Sequence, residues 1–314
     1  MSFAPLHFLS DFDGVWTEPT REMRAVHDTV VGELARLGGI KVVQMEEHYA
    51  AFAHQVMRHP ERHGWIIEGQ ITSYVDEDVF AMPTAVGQLI DQGIFAGTAH
   101  FREAILREWT HVIDFLDHCY HSTCDRFRAL HSHDLAPGAA RVLQWLMERD
   151  VDITFATNAP AEKVIQWFHH QGFDVADARV TTRKLNKLRV YGRAGKQWLG
   201  TSGDFMDYGG RRVAVDRPQY RQIIEHEKPD LIVGDVLSLD LSLPLAMRKN
   251  GESSAPTSIG LMQLAHTPHW ATQGVGGHAG TVDWLVPHVT SLPRLITQAF
   301  DQTDPTPTIV GASL

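Results

Sequence analysis

At 314 residues the chain is long enough for one large domain or two of ordinary size. Its apolar fraction of 43%, charged fraction of 21% and formal charge of −10 are those of a globular protein and disfavour nucleic acid, whose binding needs clustered Lys and Arg. No apolar run approaches the roughly 20 residues of a membrane span. The segment from Met1 to Ser10 lacks the cationic start of a signal peptide, and Cys119 and Cys124 are too few for a disulfide framework, so a cytoplasmic location is expected.

The first element is a short apolar run ending in DFDG, read as a buried strand that runs into an acidic loop. From about Thr17 to His133 the pattern is helical, with VHDTVVGELARLG and FREAILREWTHVIDFLDHCY spacing apolar residues at three and four. At Asp134 the pattern changes to alternating helices and strands. A Pro-Gly break leads into the helix ARVLQWLMERD, the strand VDITFAT, the helix AEKVIQWFHHQGF and a short strand ARVTT. A Gly-rich aromatic stretch, Tyr191 to Gly210, is expected to form a hairpin or flap with Tyr191, Trp198 and Tyr208 in its core. The strand RRVAVD, the helix RPQYRQIIEHE, the strand DLIVGD and the helix LSLPLAMRKNG follow. SIGLMQL and TVDWLVP are further strands, and SLPRLITQAF is the last helix.

Strands alternating with helices indicate βαβ units and a mostly parallel sheet. The expected fold is therefore α/β, a three-layer Rossmann-like core formed by residues 1–17 and 134–305. A helical block, 18–133, interrupts it, and 306–314 is expected to be a loosely ordered tail.

Ligands of such sheets bind at the carboxyl ends of the strands. Polar groups fall there in four places: Asp11 and Asp13, Thr157 and Asn158, Asp216 and Arg217, and Asp235 with Asp240. Converging carboxylates repel one another and call for a cation, and an all-oxygen donor set suits Mg²⁺.

Asp11-Phe12-Asp13-Gly14-Val15 resembles the first motif of the haloacid dehalogenase-like (HAD) hydrolases. Thr157-Asn158 resembles the second, and Gly234-Asp235 with Asp240 the fourth, GDxxxxD. The likeness covers about residues 5–17 and 134–300. It implies that Asp11 attacks phosphorus and becomes an aspartyl-phosphate. It implies that Asp13 protonates the leaving oxygen and then deprotonates water. Thr157 and the amide of Asn158 would hold phosphoryl oxygens. Asp11, Asp235 and the carbonyl of Asp13 would ligate Mg²⁺, with Asp240 acting through bound water or by orienting a basic residue. Asp13 points to phosphate esters, because the family's dehalogenases lack an acid at that position. Hydrolysis of a small metabolite's phosphate monoester is the implied function, with phosphomutase-type transfer or a non-catalytic binding protein as alternatives.

The family's third motif is usually a lysine. Here Asp216-Arg217-Pro218 stands before a helix, so Arg217 is expected to replace it, with Lys184 and Lys187 as rivals. Lys228, at the far end of that helix, is expected on the opposite edge of the sheet. The insert would be a helical C1-type cap that closes over the site. Its 17 acidic and 10 basic side chains disfavour a highly anionic substrate. Its His-rich stretches, 54–63 and 118–124, invite a zinc reading, but their spacing scatters ligand-type residues over more than one helical face.

Overall fold

Residues 6–130, 134–181, 188–277 and 280–300 are described in the computed structural model. Strand β1 (His7–Ser10) is followed, in the insert, by helices α1 (Thr20–Gly38) and α2 (Val42–Met57), strands β2 (Gly64–Ile67) and β3 (Gln70–Tyr74), and helices α3 (Ala81–Gln92), α4 (Thr98–Leu106) and α5 (Val112–Leu130). The chain then alternates through α6 (Ala139–Met147), β4 (Asp152–Ala156), α7 (Ala161–His170), β5 (Val175–Asp177) and β6 (Leu188–Tyr191). A hairpin of β7 (Phe205–Tyr208) and β8 (Arg211–Ala214) precedes α8 (Pro218–Glu227) and β9 (Leu231–Gly234). A π-helical turn (Leu237–Leu241) leads into α9 (Ser242–Lys249), and β10 (Ser258–Met262), β11 (Trp284–Val286) and α10 (Leu292–Phe300) complete the described chain.

Among the described residues seven strands form one sheet in the order β11-β10-β9-β1-β4-β6-β5, every pair parallel. Successive side chains of a strand face opposite sides, and β1 shows the consequence. Phe8 enters a cluster with Leu143 of α6, Phe168 of α7 and Ile296 of α10, whereas Leu9 joins Ile224 of α8 and Leu243 of α9. Both faces are covered, as a parallel sheet requires. The expected three-layer α/β core is present, with β1 central between β9 and β4.

Two strand expectations need correction. Of the segment ARVTT, residues 178–181 turn after β5 instead of forming a strand, and the strand beside β4 is LRVY of β6, so Tyr191 belongs to the central sheet. The predicted strand RRVAVD is β8, which pairs only with β7 in a separate antiparallel ribbon. In that ribbon Tyr208 is buried, whereas Trp198 is exposed.

The insert has its own apolar core, with Val30 and Leu34 of α1, Phe52 of α2, Ile90 of α3, Phe101 of α4 and Phe115 of α5 fully or almost fully buried. It also contains the β2–β3 hairpin, which the helical reading lacked, and that hairpin is stitched to the main domain. The Tyr74 hydroxyl donates to the Arg212 carbonyl (2.7 Å), Asp76 accepts from Arg211 (2.9 Å) and the Trp270 indole (3.1 Å), and Glu77 accepts from the Ser238 amide (3.0 Å). A lid moving as one body from 18 to 133 would have to break these contacts. His133, the last residue of the expected insert, the 306–314 tail, Lys184 and Lys187 lie outside the described residues.

Between the sheet and α8 sits a buried polar network. Glu227 accepts from Arg189 (2.7 and 3.0 Å) and the Tyr191 hydroxyl (2.7 Å), and its carboxylate lies 3.1 Å from His7. Burial pushes the Glu227 carboxyl up, but His7, Arg189 and Tyr191 outweigh it and hold its pKa well below the usual range. Its stabilising contribution is therefore present above the ordinary value of 4.5 and is lost as pH falls through the lower folded value. Glu227→Gln should destabilise the protein by roughly 3–5 kcal/mol at neutral pH. Denaturant titrations should show that difference narrowing in acid, and an unchanged midpoint at neutral pH would contradict the pairing.

Candidate active site

Asp11 follows the last residue of β1, and its amide donates to the Val233 carbonyl of β9 (2.9 Å). Phe12 and Trp16 turn into the core, and the Trp16 indole ties back to the Ser10 hydroxyl (2.8 Å). That apolar anchoring leaves Asp11 and Asp13 on the polar side of the loop. Gly14 adopts φ +76°, and a Cβ there would lie 2.0 Å from Asp235 Oδ2. Only glycine permits both the backbone conformation and the approach of the two loops.

Thr157 and Asn158 leave the end of β4. The Thr157 amide donates to the Tyr191 carbonyl (3.0 Å), its hydroxyl accepts from the Ala159 amide (3.1 Å), and the Asn158 side-chain oxygen accepts from the Lys196 amide (2.9 Å). The turn after β4 thereby holds the turn after β6. Asp240 projects from the π-helical turn, a distortion common at functional sites. Its Oδ2 accepts from the amides of Asp235 (3.1 Å) and Val236 (3.0 Å).

The cation among these carboxylates is Lys196. Its Nζ donates to Asp11 Oδ1 at 2.6 Å and to Asp240 Oδ1 at 2.7 Å, and the side chain is 2% exposed. Burial opposes this charge, but Asp11 and Asp240 outweigh it and raise the ammonium's pKa above its ordinary value.

The expectation for Arg217 is therefore corrected. Arg217 is fully buried and donates to the carbonyls of Lys196, Thr72 (2.8 Å) and Ala214 (3.3 Å). Because β8 lies outside the central sheet, the residue after it is not at the carboxyl edge. Its guanidinium clamps backbone instead of facing Asp11. Lys196, which follows the central strand β6 and the Gly192 break, takes the place between the carboxylates that was expected of Arg217. That pairing of an apolar LRVY with a Gly break and a lysine was the available signal.

Acceptor oxygens of Asp11, Asp235 and Asp240 lie within 4.8 Å of one another. Three carboxylates against one ammonium leave two negative charges, the charge of one divalent cation. Burial, and then Asp240 and Asp11, push Asp235 well up. Burial also pushes Asp11 up to about 7, against the pull of Lys196 and with a further push from Asp240. The oxygen-only donor set fits Mg²⁺, and Asp11 and Asp235 would hold it, because both Asp240 oxygens are already engaged. Among the described residues neither His-rich stretch brings three ligand atoms together.

Two further residues escaped the sequence reading. Lys163, on α7, grips Asp13 at 3.0 and 3.1 Å. Asp78, from the insert, is 8% exposed and accepts from the Trp65 indole (2.8 Å) and the Phe80 amide (2.9 Å). Burial pushes Asp78 up to about 6 against those donors, with Asp240 and Asp13 adding to the rise.

The chain is similar to several solved structures of haloacid dehalogenase-like proteins, all at low identity. A magnesium-bound Bacillus subtilis structure named as a HAD-hydrolase aligns with 95% of this chain and 100% of its own, at 11% identity and a TM-score of 0.43. A HAD phosphatase from Thermococcus onnurineus aligns over 93% and 97% of the two chains, at 13% identity and a TM-score of 0.43. A 2-haloacid dehalogenase from Pseudomonas syringae pv. Tomato aligns over 94% and 99%, at 11% identity and 0.41. Neither a family model nor a curated protein matches the chain.

Mg²⁺ should stabilise the folded protein, by about 2.7 kcal/mol at a hundredfold excess over Kd. Chemical denaturation with and without MgCl₂ measures this. Asp235→Asn should abolish the shift, and a shift undiminished in that variant would remove Asp235 from the metal site.

Proposed function

We propose that this chain is a HAD-like phosphohydrolase that cleaves the phosphate monoester of a small metabolite, with Mg²⁺ as its cofactor. The observation carrying the reading is the Lys196 ammonium between Asp11 (2.6 Å) and Asp240 (2.7 Å), with Asp235 and the Thr157-Asn158 turn beside them. Residues from the ends of β1, β4 and β9 and from the loop after β6 thus meet at one edge, the constellation phosphoryl transfer through an aspartate requires.

An Asp11 oxygen attacks phosphorus as the ester P–O bond breaks. The bonding pair stays on the leaving oxygen, which takes a proton from Asp13. Water then attacks the aspartyl-phosphate and gives a proton to Asp13, and the P–O bond to Asp11 breaks to release inorganic phosphate. Lys196 holds Asp11 in place and stabilises phosphoryl charge. The Asn158 amide and the Thr157 hydroxyl are the further donors for phosphoryl oxygens. Bound Mg²⁺ would supply Lewis-acid neutralisation of the phosphate.

The insert would act as the cap that excludes water and selects the alcohol. Its acidic balance disfavours a polyanionic substrate, and the net charge of −10 disfavours nucleic acid. Among the described residues no helix is long and apolar enough to cross a membrane. We place the enzyme in the cytoplasm on its buried, unpaired Cys119 and Cys124, which suit a reducing compartment.

p-Nitrophenyl phosphate hydrolysis should require Mg²⁺ and stop on its chelation. Asp11→Asn should lose several orders of magnitude in kcat while remaining folded, and Lys196→Met about 10²–10³-fold. A Lys196→Met variant as fast as wild type would separate this lysine from the chemistry.

A further inference from the structure

Lys163 stands in the first turn of α7, where the helix dipole disfavours a cation. It is also deeply buried, with a side-chain exposure of 9%. An ammonium so placed needs a strong compensating partner, and Asp13 is that partner, with both carboxylate oxygens within 3.1 Å of Nζ. Burial lowers the Lys163 pKa, yet Asp13 and then Glu22 of the insert outweigh it and keep the group charged. The ammonium lies over Trp167, whose ring centroid is 5.5 Å from Nζ. Trp167 in turn packs edge-on against Phe12, the residue between the two aspartates, at 5.8 Å. Lys163 is thus fixed in the same aromatic cluster that fixes the nucleophile loop.

Asp13 itself is held loosely by everything else. Its only other side-chain hydrogen bond among the described residues is with the Thr17 hydroxyl at a long 3.4 Å, and its side chain is 32% exposed. The terminal torsion of an aspartate is broad and soft, so without Lys163 the carboxylate plane would rotate freely toward solvent. A two-oxygen grip by one rigidly seated ammonium sets that plane.

We propose that Lys163 is a positioning residue for Asp13, orienting the carboxyl group that exchanges a proton with the leaving oxygen; this rests on the phosphohydrolase reading above. Lys163 reaches the chemistry only through the Asp13 carboxylate. Its effect therefore follows the leaving group's need for a proton, and it vanishes when Asp13 is already disabled.

The test uses the full chain with Mg²⁺ and two esters, p-nitrophenyl phosphate and phenyl phosphate, whose phenolate is the poorer leaving group. Lys163→Met should lower kcat on phenyl phosphate roughly tenfold more than on p-nitrophenyl phosphate, as expected of weakened general acid catalysis, with KM nearly unchanged. Lys163→Arg should restore most of that difference. The double variant Asp13→Asn/Lys163→Met should be no slower than Asp13→Asn alone. Should Lys163→Met fail to fold, Lys163→Gln carries the same comparison. Equal losses on both esters, or additive losses in the double variant, overturn the proposal and leave the phosphohydrolase reading intact. A wild type inert toward both esters removes that reading and the proposal with it.

Discussion

The site is built around one buried ammonium. Without Lys196, the carboxylates of Asp11 and Asp240 would face each other and Asp235 with no positive charge between them. Removing one member of a buried ion pair commonly costs about 3–5 kcal/mol, because the remaining charge is stranded. With Lys196 in place, three ionised carboxylates would still exceed it by two charges, and burial, then Asp240 and Asp11, push the Asp235 pKa well up against that state. Such an imbalance favours a divalent cation.

The backbone around Lys196 is fixed by several unrelated segments. Its amide is held by Asn158 of the turn after β4 and its carbonyl by Arg217, whose other donors reach Thr72 of the insert and Ala214 of β8. A guanidinium expected at the phosphate thus serves behind it, connecting the β2–β3 hairpin, the β7–β8 ribbon and the catalytic loop. The hairpin's further bonds, from Glu77 to the Ser238 amide and from Asp76 to Arg211 and Trp270, bring part of the insert into the packing of the main domain. The insert and the carboxylate site therefore share a mechanical base. If the helices of the insert move, the hairpin is the part anchored against them.

Asp11, Asp13, Thr157, Asn158, Asp235 and Asp240 were legible in the sequence because each follows an apolar run by one to a few residues. The strand's end alone then fixes the side chain's address. Lys196 was not legible in that way. LRVY and RRVA are both four-residue segments with valine third, and nothing local says that the first joins β4 while the second folds onto FMDY. Tertiary pairing decides it, and the third-motif position moves with that decision. Lys163 and Asp13 are 150 residues apart, so no spacing rule links them. The insert's helices were visible in their periodicity. Its hairpin, GWIIEGQITSY, sits among them without a strong alternation and shows itself only through the polar bonds it makes to the main domain.

In the proposed reaction Asp11 becomes covalently phosphorylated. The direct measurement is to mix the Mg²⁺-loaded protein with p-nitrophenyl phosphate, quench in acid within one turnover, reduce with borohydride and locate the product by peptide mass spectrometry. An aspartyl-phosphate is reduced to homoserine, so homoserine at position 11 is the predicted result. Phosphate release through a burst that leaves position 11 as unmodified aspartate, or the label found at another residue, would contradict the account.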